Sequence, residues 1–293
     1  MKKRKTRSGF GIGMLFLFGI GILLYPSISQ KWNAYREKRI VLDTAKKIQK
    51  IPNKEKKDNL IRARMYNESL VGGIVPDVFA IREGVRDENY ENILNSAGNG
   101  VMGSILIPAI DVQIPIYHYT TEDVLLKGCG HIFGSSLPVG GKSTHAVLSA
   151  HRGLPEARLF TDLDLIKKKD HFFIKTNGKT LAYAVDHIEV VEPFDTRSLA
   201  IKKGEDYVTL VTCTPYGLNT KRLLVRGHRV PYEKNIVRRE KRKLPVTKGR
   251  LFARLICVVI GVFLALVVWK LGNRLHRKKE NENCDGNDEI DES

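Results

Sequence analysis

Four stretches of the chain differ in their pattern of hydrophobic and polar residues. Residues 9–25 and 255–269 are apolar runs, and residues 32–70 carry apolar positions at helical spacing among Lys and Glu. Residues 103–230 consist of short β-rich runs separated by Gly, Pro, Asn and Asp. Many short strands at this spacing are typical of a β-barrel or a sandwich. The pattern predicts a mainly β domain that follows a helical region.

The helical and β-rich stretches predict individual elements. Pro52 falls inside the polar helical segment, and proline breaks a helix interior, so we expect two helices there. The β-rich stretch predicts strands wherever branched and aromatic residues cluster between turn formers. The predicted strands are residues 104–107, 112–117, 145–150, 171–176, 180–192, 207–213 and 222–230.

The two apolar runs predict membrane segments. Lys and Arg dominate the residues before the first run, as in an export signal or a signal anchor. Small residues at Ser27 and Ser29 would suit cleavage, whereas the length of the run favours retention. The second run, taken as residues 251–271, approaches the roughly 20 residues that a spanning helix needs. Basic residues follow it, so we expect both termini in the cytoplasm and the residues between the two runs outside the cell membrane.

The charge supports a membrane partner rather than a nucleic acid. Lys and Arg total 49 against 32 Asp and Glu, a formal charge of +17. Much of the surplus lies beside or near the apolar runs, where topology and lipid headgroups account for it. A hydrophobic content of 42% in 293 residues excludes global disorder.

These patterns divide the chain into six parts. They are a basic cytoplasmic start with a signal anchor (1–29), a helical N-terminal region (30–100), the β-rich domain (101–232), a basic linker (233–250), a transmembrane helix (251–271) and a cytoplasmic tail (272–293).

One cysteine stands where a strand meets a turn. Cys213 ends a predicted strand, turn formers follow, and Arg222 begins the next strand. A hairpin would place Arg222 beside Cys213, and a neighbouring cation favours the nucleophilic thiolate. The alternative is a small buried cysteine and a solvated arginine.

Two histidines are candidates for an acid–base group. His145 and His151 share one face of a predicted strand, so periodicity cannot choose between them. His151 lies where the strand opens into a loop, a position that favours function, although a structural histidine is the alternative.

The remaining cysteines and histidines predict no metal or cofactor. Cys129, Cys257 and Cys284 lack zinc-knuckle or Cys-x-x-Cys spacing. Cys129 is expected in a loop, as a structural residue or alternatively as a redox partner of Cys213.

Together these residues resemble a known family. The segment 209–213, Thr-Leu-Val-Thr-Cys, with His151 and Arg222, is similar to the sortase signature Thr-Leu-x-Thr-Cys and its His, Cys and Arg triad. Residues 214–227 and the loop 134–141 resemble the class C branch, which builds pili, as does the pairing of two apolar segments. The resemblance covers roughly residues 66–230.

The resemblance implies a fold and an activity. It implies a closed sortase β-barrel in which Cys213 attacks the Thr–Gly bond of a Leu-Pro-x-Thr-Gly-like signal and forms a thioester. His151 would act as acid and base, and Arg222 would bind substrate backbone or stabilise the oxyanion. The implied partners are pilin or surface proteins with C-terminal sorting signals, with a pilin lysine as the acceptor. A peptidoglycan amine is the alternative acceptor, and a non-catalytic assembly module on the same fold is the alternative function.

The resemblance also implies a lid, but the lid motif of this chain differs from that of the family. Class C members carry an Asp-Pro-aromatic motif, whereas residues 75–79 here read Val-Pro-Asp-Val-Phe. Asp77 and Phe79 would supply the two anchors in altered order, or they form an ordinary turn.

Overall fold

The computed structural model describes residues 7–70 and 86–240, together with the single positions Gly261 and Lys270. Backbone contacts divide the chain into two units. The unit Ser29–Leu244 contains every strand of the described residues. The other, Met1–Ile28 with Pro245–Ser293, lies mostly outside the described part of the chain.

Two helices precede the β-strands, as the position of Pro52 predicts. Helix α1 spans Arg7–Lys50, and α2 spans Asn53–Ser69. Pro52 adopts an extended conformation and caps α2, and its carbonyl oxygen accepts a hydrogen bond from the Lys56 amide at 3.1 Å. The short helix α3, Glu88–Asn92, begins where the Asp87 carboxylate accepts a hydrogen bond from the Tyr90 amide. The two-helix prediction is confirmed.

Eight strands close into a barrel in the order β1-β2-β3-β4-β7-β8-β6-β5. The strand pairs β2–β3 and β4–β7 are parallel, and the others are antiparallel. The strands are β1 (Val101–Ile107), β2 (Val112–His118), β3 (Cys129–His131), β4 (Thr144–Ser149), β5 (His171–Thr176), β6 (Lys179–Val191), β7 (Asp206–Thr214) and β8 (Lys221–Val230). Helix α4 (Glu122–Leu125) precedes β3, and α5 (Lys234–Arg239) follows β8. The prediction of a closed barrel behind N-terminal helices is confirmed.

Strand β3 is the strand that the sequence pattern missed. It has three residues and pairs with β2 in parallel and with β4 antiparallel. Gly130 at its centre leaves room for the chain crossing beside it, because a Cβ there would collide with the carbonyl oxygen of Tyr119. Cys129 therefore lies on a strand, and its expected place in a loop was wrong. Three residues with a central glycine are too few to show alternation.

The two faces of the sheet carry separate apolar clusters. The larger cluster draws side chains from all eight strands, including Leu148, Leu210 and Val225, and fills the barrel. A smaller cluster covers the opposite face of β4, β7 and β8. It consists of Ile132, Val147, Leu199, Val211 and Leu224. Because side chains alternate along a strand, Cys213 shares this outer face with Val211.

The predicted membrane segments are not supported by the described helices. Among the residues that the structure describes, none forms a helix both long and apolar enough to cross a bilayer. The first apolar run lies within α1, where most of its side chains are outside the described set. The second run, residues 251–271, is outside it except for Gly261 and Lys270. Both segments stay predictions.

Candidate active site

The β7–β8 hairpin places Cys213 directly opposite Arg222. The two strands are antiparallel, and these residues form a cross-strand pair in the register. Paired residues of neighbouring strands project from the same face, about 4.5–5.5 Å apart at Cβ. Both side chains are partly exposed. A thiol and a guanidinium therefore share the mouth of the hairpin on the outer face of the barrel.

The turn between the strands holds the guanidinium. Nη1 of Arg222 donates hydrogen bonds to the carbonyl oxygens of Asn219 and Lys221, each at 3.0 Å. Asn219 adopts a left-handed conformation with φ of 56°, which asparagine tolerates better than most residues. The turn composition that predicted the hairpin thus also supplies the carbonyl groups that orient the arginine.

His151 lies at the same end of the sheet, just beyond β4. Parallel pairing aligns Ser149 with Val211, and the Ala150 amide donates to the Val211 carbonyl at 3.3 Å. The hydroxyl of Thr212 donates back to the Ala150 carbonyl at 2.9 Å. His151 follows at the level of Cys213. The structure thus brings the three predicted site residues to the ends of adjacent strands β4, β7 and β8.

A carboxylate that sequence reasoning missed contacts His151. Oε1 of Glu122, on α4, lies 3.2 Å from Nε2 of His151, whose side chain is 25% exposed. The His151 carbonyl oxygen also accepts a hydrogen bond from the Phe160 amide at 3.1 Å. Glu122 stands 29 positions before the histidine, so nothing local in the sequence signals the contact.

His145 occupies a different environment on the same strand. It is 1% exposed, and its ring nitrogens contact the Ala200 carbonyl oxygen at 3.0 Å and the Thr209 hydroxyl at 2.7 Å. Burial lowers the pKa of His145 to about 4, so the ring is neutral at physiological pH. A neutral ring with both nitrogens engaged has no free position for a substrate.

Cys129 is separated from the outer face. It is fully buried in the barrel interior, and burial raises the pKa of its thiol far above the ordinary range. Cys129 and Cys213 are both free thiols. This arrangement fits a structural residue and does not support a redox partnership with Cys213.

Asp77 and Phe79, the predicted lid anchors, lie outside the described residues. In residues 7–70 and 86–240 no group of three or more His, Cys, Asp or Glu side chains has a geometry that could hold a metal ion.

The sequence and the fold are similar to those of known proteins. The family described as Sortase domain matches residues 105–230. A solved sortase C from Streptococcus pneumoniae is 42% identical, with a TM-score of 0.63, over 66% of this chain and 97% of that chain. A sortase C from Streptococcus agalactiae is 45% identical, with a TM-score of 0.62, over 67% of this chain and 100% of that chain.

Curated relatives match a shorter region. Sortase A of Bacillus anthracis is 32% identical over 127 residues, which is 43% of this chain and 59% of the relative. The chain spans about three fifths of the length of the curated relatives it matches. The S. pneumoniae structure was described in connection with catalysis and pilin substrate specificity, and a further structure, from Group B Streptococcus, as a pilus-related sortase C.

Proposed function

Because the chain belongs to the sortase family of cysteine transpeptidases, we propose that it cleaves a Leu-Pro-x-Thr-Gly-like signal and transfers the threonyl group to a pilin lysine. The observation that carries this proposal is the register that sets Cys213 opposite Arg222 at the end of β7, with His151 beside it. Identities of 42% and 45% to sortase C structures, one of them studied for pilin specificity, favour a pilin substrate.

The first half-reaction forms a thioester. The Cys213 thiolate attacks the threonyl carbonyl carbon, and the developing oxyanion lies toward the Arg222 guanidinium. The peptide bond to glycine breaks when His151 donates a proton to the leaving amine. The products are a threonyl thioester on Cys213 and a free glycyl amine. Glu122 orients the imidazole throughout.

The second half-reaction forms the isopeptide bond. The ε-amine of a pilin lysine attacks the thioester carbonyl, and His151 accepts its proton. The Cys213 thiolate leaves and is regenerated. One peptide bond is broken and one amide bond is formed, so the cycle needs no cofactor or energy source.

We place the enzyme at the outer face of the cell membrane with both termini in the cytoplasm. The support for this localisation is the pair of apolar runs with their basic flanks in the sequence. The acceptor pilin would meet the outer face of the barrel in the same compartment.

Mass spectrometry can follow both half-reactions in one experiment. The purified chain is incubated with a Leu-Pro-x-Thr-Gly peptide and then with a lysine-bearing pilin domain. We expect a threonyl adduct on Cys213 that the pilin lysine removes as an isopeptide product. Cys213→Ala should form no adduct, and the buried Cys129→Ala serves as the matched control that should still form it.

The other outcomes identify the alternatives. A thioester that only a peptidoglycan-type amine resolves would assign the chain to surface-protein anchoring. No adduct with the wild-type chain, together with retained pilin binding, would assign it to a non-catalytic assembly role.

A further inference from the structure

We propose that Arg152 is a positioning residue that fixes the loop carrying His151 against the strand end carrying Cys213. This inference rests on the proposed transpeptidase function. The contacts of Arg152 connect the segment of His151, which transfers the proton, with the segment of Cys213, which accepts the acyl group.

Arg152, the residue after the acid–base group, contacts the residue after the nucleophile. It directly follows His151, and its Nη1 donates a hydrogen bond to the Thr214 hydroxyl at 3.2 Å. Thr214 directly follows Cys213 on β7. One side chain therefore spans the gap between the loop and the strand, 62 positions apart in the sequence.

The other guanidinium nitrogen is held by a carboxylate. Nη2 of Arg152 donates to Oδ2 of Asp164 at 2.6 Å, and Asp164 lies in the 3-10 turn Leu163–Leu165. The Arg152 side chain is 8% exposed, whereas that of Asp164 is 48% exposed. Hydrogen bonds from two nitrogens of a planar guanidinium to two different partners fix its direction as well as its distance. Arg152 thus has anchors on two sides.

The third contact is with the β7–β8 turn. The guanidinium carbon of Arg152 lies 5.9 Å from the ring centroid of Tyr216. The same ring packs against Gly153, where a Cβ would approach within 3.1 Å of it and where φ is 86°. A larger residue at 153 would be strained and would push the ring away. Tyr216 belongs to the turn that leads to Arg222, so all three catalytic segments meet at Arg152.

Stability alone does not explain an arginine at this position. Its Nε is buried and has no hydrogen-bond partner among the described residues. A buried donor without a partner costs free energy, and an apolar side chain of similar length would avoid that cost. The unpartnered Nε therefore offsets part of what the Thr214 and Asp164 contacts contribute to stability, which fits a residue whose role is the geometry it imposes.

The expected effect is on the chemical step. A displacement of about 1 Å between reacting groups can lower a rate about 100-fold. Arg152→Met removes both hydrogen bonds while filling a similar volume, and Arg152→Lys keeps the charge but cannot reach Thr214 and Asp164 together. We expect Arg152→Met to lower kcat for thioester formation by at least about tenfold with KM changed less than about twofold. Arg152→Lys should be intermediate.

The experiment uses the full-length chain in detergent micelles. It measures kcat and KM for the sorting peptide, alkylation of Cys213 by iodoacetamide, and the thermal midpoint. Arg158→Met is the matched control, because Arg158 lies in the same loop with its own carboxylate partner, Asp162 at 2.7 Å. The control should keep kcat. Cys213 alkylation in Arg152→Met should stay near the wild-type rate, because iodoacetamide reacts with the thiolate that the neighbouring Arg222 favours and, unlike the peptide, requires no proton from His151 for its leaving group.

Further variants keep the test decisive. If Arg152→Met fails to fold, Thr214→Val removes the acceptor hydroxyl at constant shape, and its kcat should fall in the same direction. An unchanged kcat in Arg152→Met overturns the proposal, as does an unchanged kcat in Thr214→Val where that variant replaces it. The proposal is also overturned if Arg158→Met loses as much kcat, or if the fall in kcat equals the fraction of unfolded protein.

Failure of the proposed function is distinguishable. A wild-type chain that forms no thioester overturns the transpeptidase activity itself. Amide hydrogen exchange of residues 153–160 then decides the positioning claim, because loss of the Arg152 contacts should speed exchange in that loop and leave β4 protected. Equal exchange in Arg152→Met and wild type would contradict it.

Discussion

At the scale of single residues, burial separates two histidines that the sequence treats as equivalent. His145 and His151 share a face of β4 and its extension, so their spacing could not assign the acid–base role. The structure encloses His145 between Ala200 and Thr209 and leaves His151 partly exposed beside Cys213. Such contacts depend on residues 55 and 64 positions away, which no local pattern contains.

Substitution of each histidine should separate chemistry from stability. We expect His151→Ala to slow thioester formation by about 100-fold or more, because general acid–base groups contribute about 10²–10⁴ in rate. His145→Ala should keep the rate constant of the folded fraction and lower the free energy of unfolding, because it leaves the Thr209 hydroxyl and the Ala200 carbonyl without partners. Single-turnover mass spectrometry and urea unfolding measure the two effects. The reverse pattern would reassign the base to His145.

The position of Arg222 predicts a requirement for a planar cation. Arg222→Lys keeps the charge opposite Cys213 but loses the guanidinium fork that the Asn219 and Lys221 carbonyls orient. We expect kcat to fall by at least about tenfold, since single donors to an oxyanion contribute about 10²–10³. Arg226→Lys, on the same strand and paired with Asp186, is the control and should keep turnover. Near-normal turnover of Arg222→Lys would contradict the role.

At the scale of elements, pattern length decided what could be predicted. Pro52 predicted the break between α1 and α2, and the long strands β6 and β8 carried enough apolar and branched residues between turn formers to be recognised. Strand β3 has only three residues and depends on pairing with β2, so local sequence gave no signal. Glu122 and Arg152 were missed for a related reason, because their partners lie on other elements.

A buried carboxyl on α1 predicts a pH-dependent stability. Glu37 is 7% exposed, and burial raises its pKa from 4.5 to about 7, with Arg36 opposing the shift. The folded state therefore binds the proton more tightly than the unfolded chain. Its stabilising contribution is complete below about pH 4.5 and is lost as pH rises through 7, by about 3 kcal/mol at most.

Glu37→Gln isolates this contribution. The variant should unfold in urea with a free energy that changes less between pH 5 and pH 8 than that of the wild type, because glutamine cannot ionise. At pH 8 it should be the more stable of the two. Asp43→Asn, an exposed substitution on the same helix, should keep the wild-type pH dependence. An identical pH dependence in Glu37→Gln and wild type would show that Glu37 is not the titrating group.

At the scale of the whole molecule, barrel closure assembles a site from residues far apart in the chain. The short β-rich runs and the turn formers between them left a barrel and a sandwich open, and the signature around Cys213 decided between them through family resemblance. The parallel β4–β7 pair and the antiparallel β7–β8 pair then bring residues 151, 213 and 222 to one end of the sheet. Topology relative to the membrane is a separate property, which depends on the apolar runs.

The native cysteines offer a test of that topology. Cys213 is partly exposed on the barrel that we place outside the cell, Cys129 is buried, and Cys284 lies in the tail that we place in the cytoplasm. A membrane-impermeant maleimide added to intact cells should label Cys213 and leave Cys284 unmodified. Permeabilisation should add Cys284. Cys213→Ala should abolish labelling of intact cells, which controls for reaction at Cys129. Labelling of Cys284 in intact cells would place the C-terminal tail outside and remove the second predicted span, because the chain would then not return across the membrane after the barrel.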